Sequence, residues 1–254
     1  MNLITKQPLN SFRRIALGAG LIFSGASAAL AATASFTSTA PTTDILLQTT
    51  SFSSTGSVQL RNLSSSNRWV GFGFATTEAT TLDKATLYIT FDSTTGNGMV
   101  SSGALGATIK IDIVSLTSQT ASPSTPYTVV YSETATAPLS YSNETLMTFD
   151  FTTPVTLLGS ENYGIVFSFT DTAANRSINF RTTSSGVGGT GSYGDLFYTG
   201  DQGSTWTTGT NPYAFVLQTA ASSVPEPATY ATLCGLAALG AIACSRRRRQ
   251  SSCH

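Results

Sequence analysis

The residue types that most often carry chemistry are scarce in this chain. The only histidine is His254, and the three cysteines are Cys234, Cys244 and Cys253, so none of these side chains precedes residue 234. A Ser-His-Asp triad, a Cys-His nucleophile and a zinc site with His or Cys ligands each need at least one of them. We therefore predict that the chain is not an enzyme, with one alternative left to consider.

Pairs of carboxyl groups are that alternative. A glycosidase needs only two acids held roughly 5–10 Å apart. The candidate acids are scattered and lie mostly near predicted turns: Asp92, Glu133, Glu144, Asp150, Asp171, Asp195 and Asp201. Because no spacing singles out a pair, weak glycoside hydrolysis ranks behind the binding functions considered below.

Calcium is the only cofactor that the acids suggest. Oxygen ligands suit Ca²⁺, and segment 194–201 places Asp195 and Asp201 in one predicted loop. A second acidic loop spans residues 92–97. No EF-hand spacing is present, and solvated loop acids are the alternative interpretation.

Aromatic side chains are candidates for carbohydrate binding, because their ring faces stack on sugars. Trp206 lies in a loop rich in Gly, Ser and Thr, and Tyr198 and Tyr193 are close to it in sequence. These three residues are the candidate glycan contacts, with structural packing as the alternative for Trp206. Trp69 lies in an apolar segment and is predicted to belong to the core.

Charge is low and unevenly distributed. Charged residues make up 10% of the chain, against about a quarter in an average soluble domain. Seven of the thirteen basic residues lie in the two ends, and all thirteen acids lie between them, which gives the middle a net charge of −7. An acidic domain repels phosphate backbones, so we predict no nucleic-acid partner.

Alternating apolar and polar residues predict that β-strands position these side chains. The alternation is found in six segments: 85–91, 108–114, 146–151, 163–169, 177–181 and 213–218. Turn-forming clusters separate them at 92–98, 122–126, 152–154 and 186–191. The pattern predicts an all-β fold, an antiparallel β-sandwich with jelly-roll-like topology over residues 50–219. A Ser/Thr-rich lead-in with the first strand precedes it at 35–49, and a linker follows at 220–223.

The amino-terminal segment has the features of a secretory signal peptide. Lys6, Arg13 and Arg14 precede an apolar run at 15–23, which is too short to span a membrane. Small residues follow, and Ala-x-Ala cleavage patterns end at three alanines: Ala28, Ala31 and Ala34. The last two are favoured, and the signal peptide is assigned to residues 1–34.

The carboxyl-terminal segment has three parts in a fixed order. The tetrapeptide Val224, Pro225, Glu226 and Pro227 comes first, an apolar run follows at 228–244, and four basic residues close it: Arg246, Arg247, Arg248 and Arg249. The prolines keep the first part extended. The apolar run predicts a single transmembrane helix, and the arginines hold its end in the cytoplasm.

This tail, 224–249, resembles the PEP-CTERM sorting signal of Gram-negative bacteria that make exopolysaccharide. The resemblance implies that an exosortase, a membrane cysteine transpeptidase, recognises the tail and cuts it near Pro225–Pro227. The alternative is a plain membrane anchor that is never cut. Segments 69–77, 81–89, 111–116, 157–163 and 201–215 resemble a second family, the choice-of-anchor R domain. That family implies a β-sandwich exposed at a bacterial surface and implies no catalytic residue.

Together these features predict an exported protein that is held transiently in the inner membrane and then sorted to the outer surface or the extracellular matrix. Its predicted role is structural or adhesive, in association with exopolysaccharide or biofilm. A carbohydrate-binding module with a defined sugar site is the first alternative, and a weak glycoside hydrolase is the second.

Overall fold

The computed structural model describes residues 31–49, 56–64, 66–90, 100–125, 127–171, 175–183, 187–189, 191–209 and 213–221. Over these residues the predicted all-β fold is confirmed, with fourteen strands and a single three-residue 3₁₀ helix. No helix in this described part is long and apolar enough to cross a membrane. The sorting motif at 224–227, the predicted membrane helix at 228–244, the arginines at 246–249 and residues 1–30 lie outside the described residues.

The strands follow one another along the chain with short connections. Their bounds are β1 Ala31–Thr37, β2 Ile45–Thr49, β3 Ser57–Leu63, β4 Ser66–Thr76, β5 Thr80–Tyr88, β6 Thr108–Ser115, β7 Val129–Thr136, β8 Leu146–Leu157, β9 Asn162–Phe169, β10 Arg176–Arg181, β11 Val187–Gly189, β12 Gly191–Thr199, β13 Thr207–Thr208 and β14 Phe215–Gln218. The 3₁₀ helix spans Ser102–Ala104.

Hydrogen bonds join the strands into one sheet. The order is β10-β3-β4-β9-β6-β7-β1-β8-β5-β14-β2-β11, and β12 adds to β4 with β13 beside it. The sheet curls, as isolated bridges show: Phe180 of β10 pairs with Ile89, directly after β5, and Ile178 of β10 pairs with Val100. The curl therefore brings β10 into contact with the chain that follows β5, although the two strands are far apart in the sheet order.

The sheet is mixed, which differs from the wholly antiparallel prediction. β1 pairs parallel with β7 and antiparallel with β8. β7 and β8 are successive strands that run in opposite directions, so a strand inserted between them must be parallel to one of the two. Within the segment predicted at 35–49 as a lead-in with the first strand, residues 35–37 belong to a strand that already begins at Ala31, and residues 45–49 form β2.

The inner face of the curled sheet holds the core. β6 shows the reason, because Ile109, Ile111 and Ile113 are fully buried inside while Lys110 and Asp112 alternate onto the outer face. Six fully buried phenylalanines fill the same core: Phe72, Phe74, Phe149, Phe167, Phe180 and Phe215. Burial of each such ring stabilises the fold by about 1.5–3 kcal/mol relative to exposure.

The turn predicted at 152–154, which contains Pro154, is not found in the structure. The segment 152–154 was expected to end a strand, yet β8 continues through it to Leu157. The ladder between β5 and β8 is interrupted at this point, since Leu82 pairs with Val155 and Lys84 pairs with Asp150. A proline is tolerated where a ladder is interrupted, because no hydrogen bond to its nitrogen is needed there.

Candidate functional site

The outer face of the sheet carries a row of polar and aromatic side chains. Lys110 of β6 pairs with Ser168 of β9. Val70 of β4 pairs with Phe167 of β9, which places Trp69 beside Ser168 in the same antiparallel register. Three neighbouring strands therefore present Trp69, Ser168 and Lys110 side by side on the surface that faces away from the core.

A loop covers one end of this outer face. The Gln119 carbonyl group lies so close to Gly73 of β4 and Gly194 of β12 that a Cβ on either glycine would overlap with it. The glycines thus let the loop cross both strands at backbone distance. The loop closes the Gly73 end of β4, and the Trp69 end is left open.

The open end forms a groove of about 740 Å³. Its floor is the row of Trp69, Ser168 and Lys110, and residues 200–202 line the side next to β12. The opposite side is the β3–β4 connection with the end of β9, which together contribute Asn62, Leu63, Ser64, Ser66, Asn67, Phe169, Thr170 and Asp171. Amides and hydroxyls dominate this lining, and its aromatic residues are Trp69 and Phe169.

Three polar atoms of groove-lining residues have no hydrogen-bond partner within the described part of the chain. They are the Asn67 Oδ1, Trp69 Nε1 and Asp171 Oδ1 atoms, and all three are buried. Buried polar groups in proteins are normally satisfied, and exceptions often mark a functional site. Three residues of the groove lining thus each hold one buried polar atom that no described residue pairs with.

The loop that follows β12 is held by the carboxylate of Asp201. This carboxylate accepts hydrogen bonds from the Thr199 hydroxyl at 2.5 Å, the Thr205 amide at 2.9 Å and the Thr205 hydroxyl at 2.6 Å. These donors, the Thr199 hydroxyl first, lower the pKa of Asp201 from 3.8 to about 2. Asp201 is therefore ionised at neutral pH, and its oxygens are used within the loop.

The same loop fixes the ring of Trp69. Gly203 has a positive φ of 89°, and its amide donates to the Thr199 hydroxyl at 3.1 Å. A Cβ on Gly203 would lie 2.9 Å from the Trp69 ring. A second cavity of about 400 Å³ lies on the Gly203 side, and Trp69 and Gln202 line both cavities.

Asp112 anchors the side of the site formed by β6. Its carboxylate is 1% exposed and accepts hydrogen bonds from Lys110 Nζ at 2.8 Å, Tyr127 Oη at 3.1 Å and Ser132 Oγ at 2.6 Å. Burial, and then the neighbouring Asp112 charge, raise the pKa of the Tyr127 hydroxyl well above its usual value. Tyr127 therefore stays a neutral hydrogen-bond donor, and it lines the second cavity.

The charges of the groove nearly cancel. Lys110 forms an ion pair with Asp112, and Arg176 forms one with Asp171. Asp201 is bonded only to neutral donors. The lining is thus neutral to slightly negative and offers no cluster of positive charge to a phosphate or a uronic acid.

The predicted glycan contacts are not brought together. The Trp206 ring packs edge-on against Phe197 and Tyr127, with centroids 5.4 and 6.1 Å away. It packs against a small outer cluster of buried residues, and Trp69 packs against the same cluster; its members are Val114, Leu116, Val166 and Phe197. Tyr193 and Tyr198 lie on the other face, where they pack against the main core. The Trp206 ring therefore packs against its neighbours, while Trp206 lines neither of the two cavities.

The predicted calcium ligands, Asp195 and Asp201, do not lie in one loop. Asp195 lies on β12 next to the register shift between Tyr193 and Leu196, and Asp201 has both oxygens engaged by threonines. No group of three or more Asp, Glu, His or Cys side chains suited to a metal occurs among the described residues. The second candidate loop at 92–97 lies outside them.

Trp69 is predicted to belong to the core, and in the structure it packs against the small outer cluster and also lines the groove. The segment 69–74 reads Trp-Val-Gly-Phe-Gly-Phe. With a period of two, Val70, Phe72 and Phe74 share the core face, and Trp69 falls on the opposite face with two glycines. The alternation of Trp69 with Gly71 and Gly73 is the sequence feature from which a groove beside the Trp69 ring could have been predicted.

No protein family profile matches the chain, and no curated protein matches it in sequence.

Proposed function

We propose that the chain is an exported surface or matrix protein that binds a neutral polysaccharide along the Trp69 groove. The observation that carries the proposal is the position of Trp69, which lines two adjoining cavities on the outer face of the sheet. Binding sites typically combine an apolar ring with a few placed polar groups. An open groove also suits a polymer, since a chain of sugars extends beyond any single subsite.

Sugar chemistry fits the lining of this groove. The C–H face of a pyranose packs on an indole ring, while its hydroxyls act as both donors and acceptors. The lining supplies hydroxyl and amide side chains beside the Trp69 ring, among them Ser66, Asn67 and Ser168. The near balance of charge favours a neutral polysaccharide over one rich in carboxylate or phosphate groups.

Export and sorting form the second part of the proposal. We infer that a signal peptide directs the chain out of the cytoplasm, and that the PEP-CTERM-like tail holds it in the inner membrane until an exosortase cuts near 225–227. The features in support are the order of motif, apolar run and four arginines. We also infer that the curled sheet is a jelly-roll-like sandwich of the choice-of-anchor type, placed between two processed ends.

Adhesion is a better account of this groove than hydrolysis. A glycosidase needs a carboxyl group that is protonated at working pH. Asp201 has a lowered pKa of about 2, and Asp171 is paired with Arg176. Asp201 is therefore not suited to donate a proton near neutrality, and Asp171 is engaged in an ion pair, so we propose binding without turnover.

A binding assay tests the glycan part. The purified chain is incubated with insoluble neutral glycans, such as cellulose and chitin, and with anionic alginate in parallel. We expect retention by at least one neutral polymer and weak retention by alginate. The substitution Trp69→Ala is expected to lower that affinity at least tenfold, or about 1.4 kcal/mol.

The matched control is Leu139→Ala, because Leu139 is 85% exposed and does not line the groove. The affinity of the Leu139→Ala variant for the neutral polymer should equal that of the unchanged chain. Equal binding by the Trp69→Ala variant, with an unchanged melting temperature, would remove the groove from consideration. A matrix protein without a defined sugar site would then be the better proposal.

Intact mass measured by cell fraction tests the sorting part. Protein outside the inner membrane that ends near 224–227 supports cutting by an exosortase. A tail that still extends to His254, retained in the inner membrane, would indicate a plain anchor instead.

A further inference from the structure

β1 occupies a place in the sheet that no other described strand fills. Three of its residues pair with β7, namely Ala31 with Thr134, Ala32 with Ala135 and Thr33 with Thr136. Five of its residues, Thr33 to Thr37, pair with β8. β7 and β8 share no ladder of their own. β1 is thus the strand that joins the two parts of the sheet.

A signal peptidase cut after Ala34 would break this connection. It would remove residues 31–34, which include every pair of the ladder with β7 and the first two pairs with β8. The free edges of β7 and β8 would then present unpaired backbone groups inside the sheet, where they cost free energy and invite aggregation. A mature chain that begins at residue 35 is therefore incompatible with this fold.

A cut after Ala31 would remove less of β1, but it would place the new amino terminus at a buried residue. The Ala31 carbonyl oxygen accepts a hydrogen bond from the Thr152 hydroxyl at 2.8 Å, and this bond would be lost. The new α-ammonium group would lie on Ala32, which is 6% exposed between its two neighbouring strands. A charge at such a position loses much of its hydration.

We propose that signal peptidase hydrolyses the bond between Ala28 and Ala29. The first Ala-x-Ala pattern supplies the small residues Ala26 and Ala28 that the peptidase requires. One water is consumed, Ala28 gains the carboxylate and Ala29 the α-ammonium group. The mature chain keeps all of β1 with two residues before it. This inference rests on the proposed export and revises the preference for Ala31 or Ala34.

The test uses the full chain produced in a Gram-negative host that exports it. The exported protein is digested, and its first residue is identified by mass spectrometry. An amino terminus at Ala29 supports the inference. An amino terminus at Ala32 or Ser35 on a folded exported chain overturns it while leaving export intact. A chain that keeps Met1 and stays in the cytoplasm overturns both the inference and the export proposal.

Two substitutions sharpen the test. Ala28→Phe places a large residue where the peptidase needs a small one, so we expect loss of the Ala29 terminus and at least a fivefold rise in uncut precursor. Ala31→Phe is the matched control, because it destroys the second cleavage pattern while Ala31 is exposed on β1. Its mature chain should still begin at Ala29. Loss of cutting in the Ala31→Phe variant, with normal cutting of Ala28→Phe, would contradict the inference.

Discussion

Gly203 lies against the indole ring of Trp69, so close that a Cβ on the glycine would be 2.9 Å from the ring's Cζ3 atom. The loop after β12 can approach the ring only because this residue has no side chain. Its φ of 89° is also in the region that favours glycine. The position of the Trp69 ring therefore depends on the backbone of a neighbouring loop.

Gly203→Ala is expected to weaken both folding and binding. The positive φ costs about 1–3 kcal/mol of unfolding free energy for a residue with a side chain, and the new methyl group must displace the Trp69 ring. Urea denaturation measures the first effect, and binding to the neutral polymer measures the second. Gly200→Ala is the control for stability, since a Cβ there meets no atom within 4 Å. Equal stability of the two variants would show that the loop adapts without strain.

Asp201 makes the loop sensitive to acid. Its pKa is lowered from 3.8 to about 2 by the hydrogen bonds from Thr199 and Thr205. A depressed pKa in the folded state means that the carboxylate stabilises the fold fully above about pH 4, and that this stabilisation is lost as pH falls towards 2. We expect the melting temperature of Asp201→Asn to be lower at pH 6 and to approach that of the unchanged chain near pH 2.

The control for this prediction is Asp195→Asn on β12, which removes one negative charge without touching the threonine bonds. Its melting temperature should follow that of the unchanged chain over the whole pH range. A constant difference between Asp201→Asn and the unchanged chain from pH 6 to pH 2 would contradict the assigned role of the carboxylate.

The all-β class was predictable because alternation is a local property. Segments such as 108–114 and 163–169 match β6 and β9 closely, since their apolar faces meet the core whatever the strand order. β1 carries no such pattern, as its residues are mostly Ala, Ser and Thr. Its strand conformation comes from the two neighbours between which it is inserted, and a single sequence does not contain that information in local form.

The site was harder to predict than the fold. Trp206 lies in a polar loop, and its neighbours in sequence suggested exposure, yet Phe197 and Tyr127 enclose its ring. Trp69 lies in an apolar segment, yet it is on the outer face. Which ring contacts a ligand depends on how loops pack over the sheet, and this packing is set by tertiary contacts.

Trp206→Ala is expected to destabilise the chain by about 2–3 kcal/mol, because a half-buried ring with two edge contacts is removed. Trp206→Phe keeps an aromatic ring in place, so we expect a smaller loss and binding to the polymer within about twofold of the unchanged chain. Thermal unfolding and the polymer assay provide the two measurements. A strong loss of binding in the Trp206→Phe variant at unchanged stability would instead favour Trp206 as a ligand contact.

Asp112→Ala tests the anchor beneath the groove. The carboxylate is 1% exposed, and its removal leaves the donors of Lys110, Tyr127 and Ser132 without their acceptor. Lys110 and Ser132 are accessible to water, so the loss of the hydrogen bonds to the charged carboxylate predicts a decrease of about 1.5–3 kcal/mol in unfolding free energy. Ser132→Ala removes one of the three donors and should cost only about 1 kcal/mol. Chemical denaturation of both variants measures the difference, and equal losses would mean that Asp112 contributes through a single hydrogen bond rather than through the network.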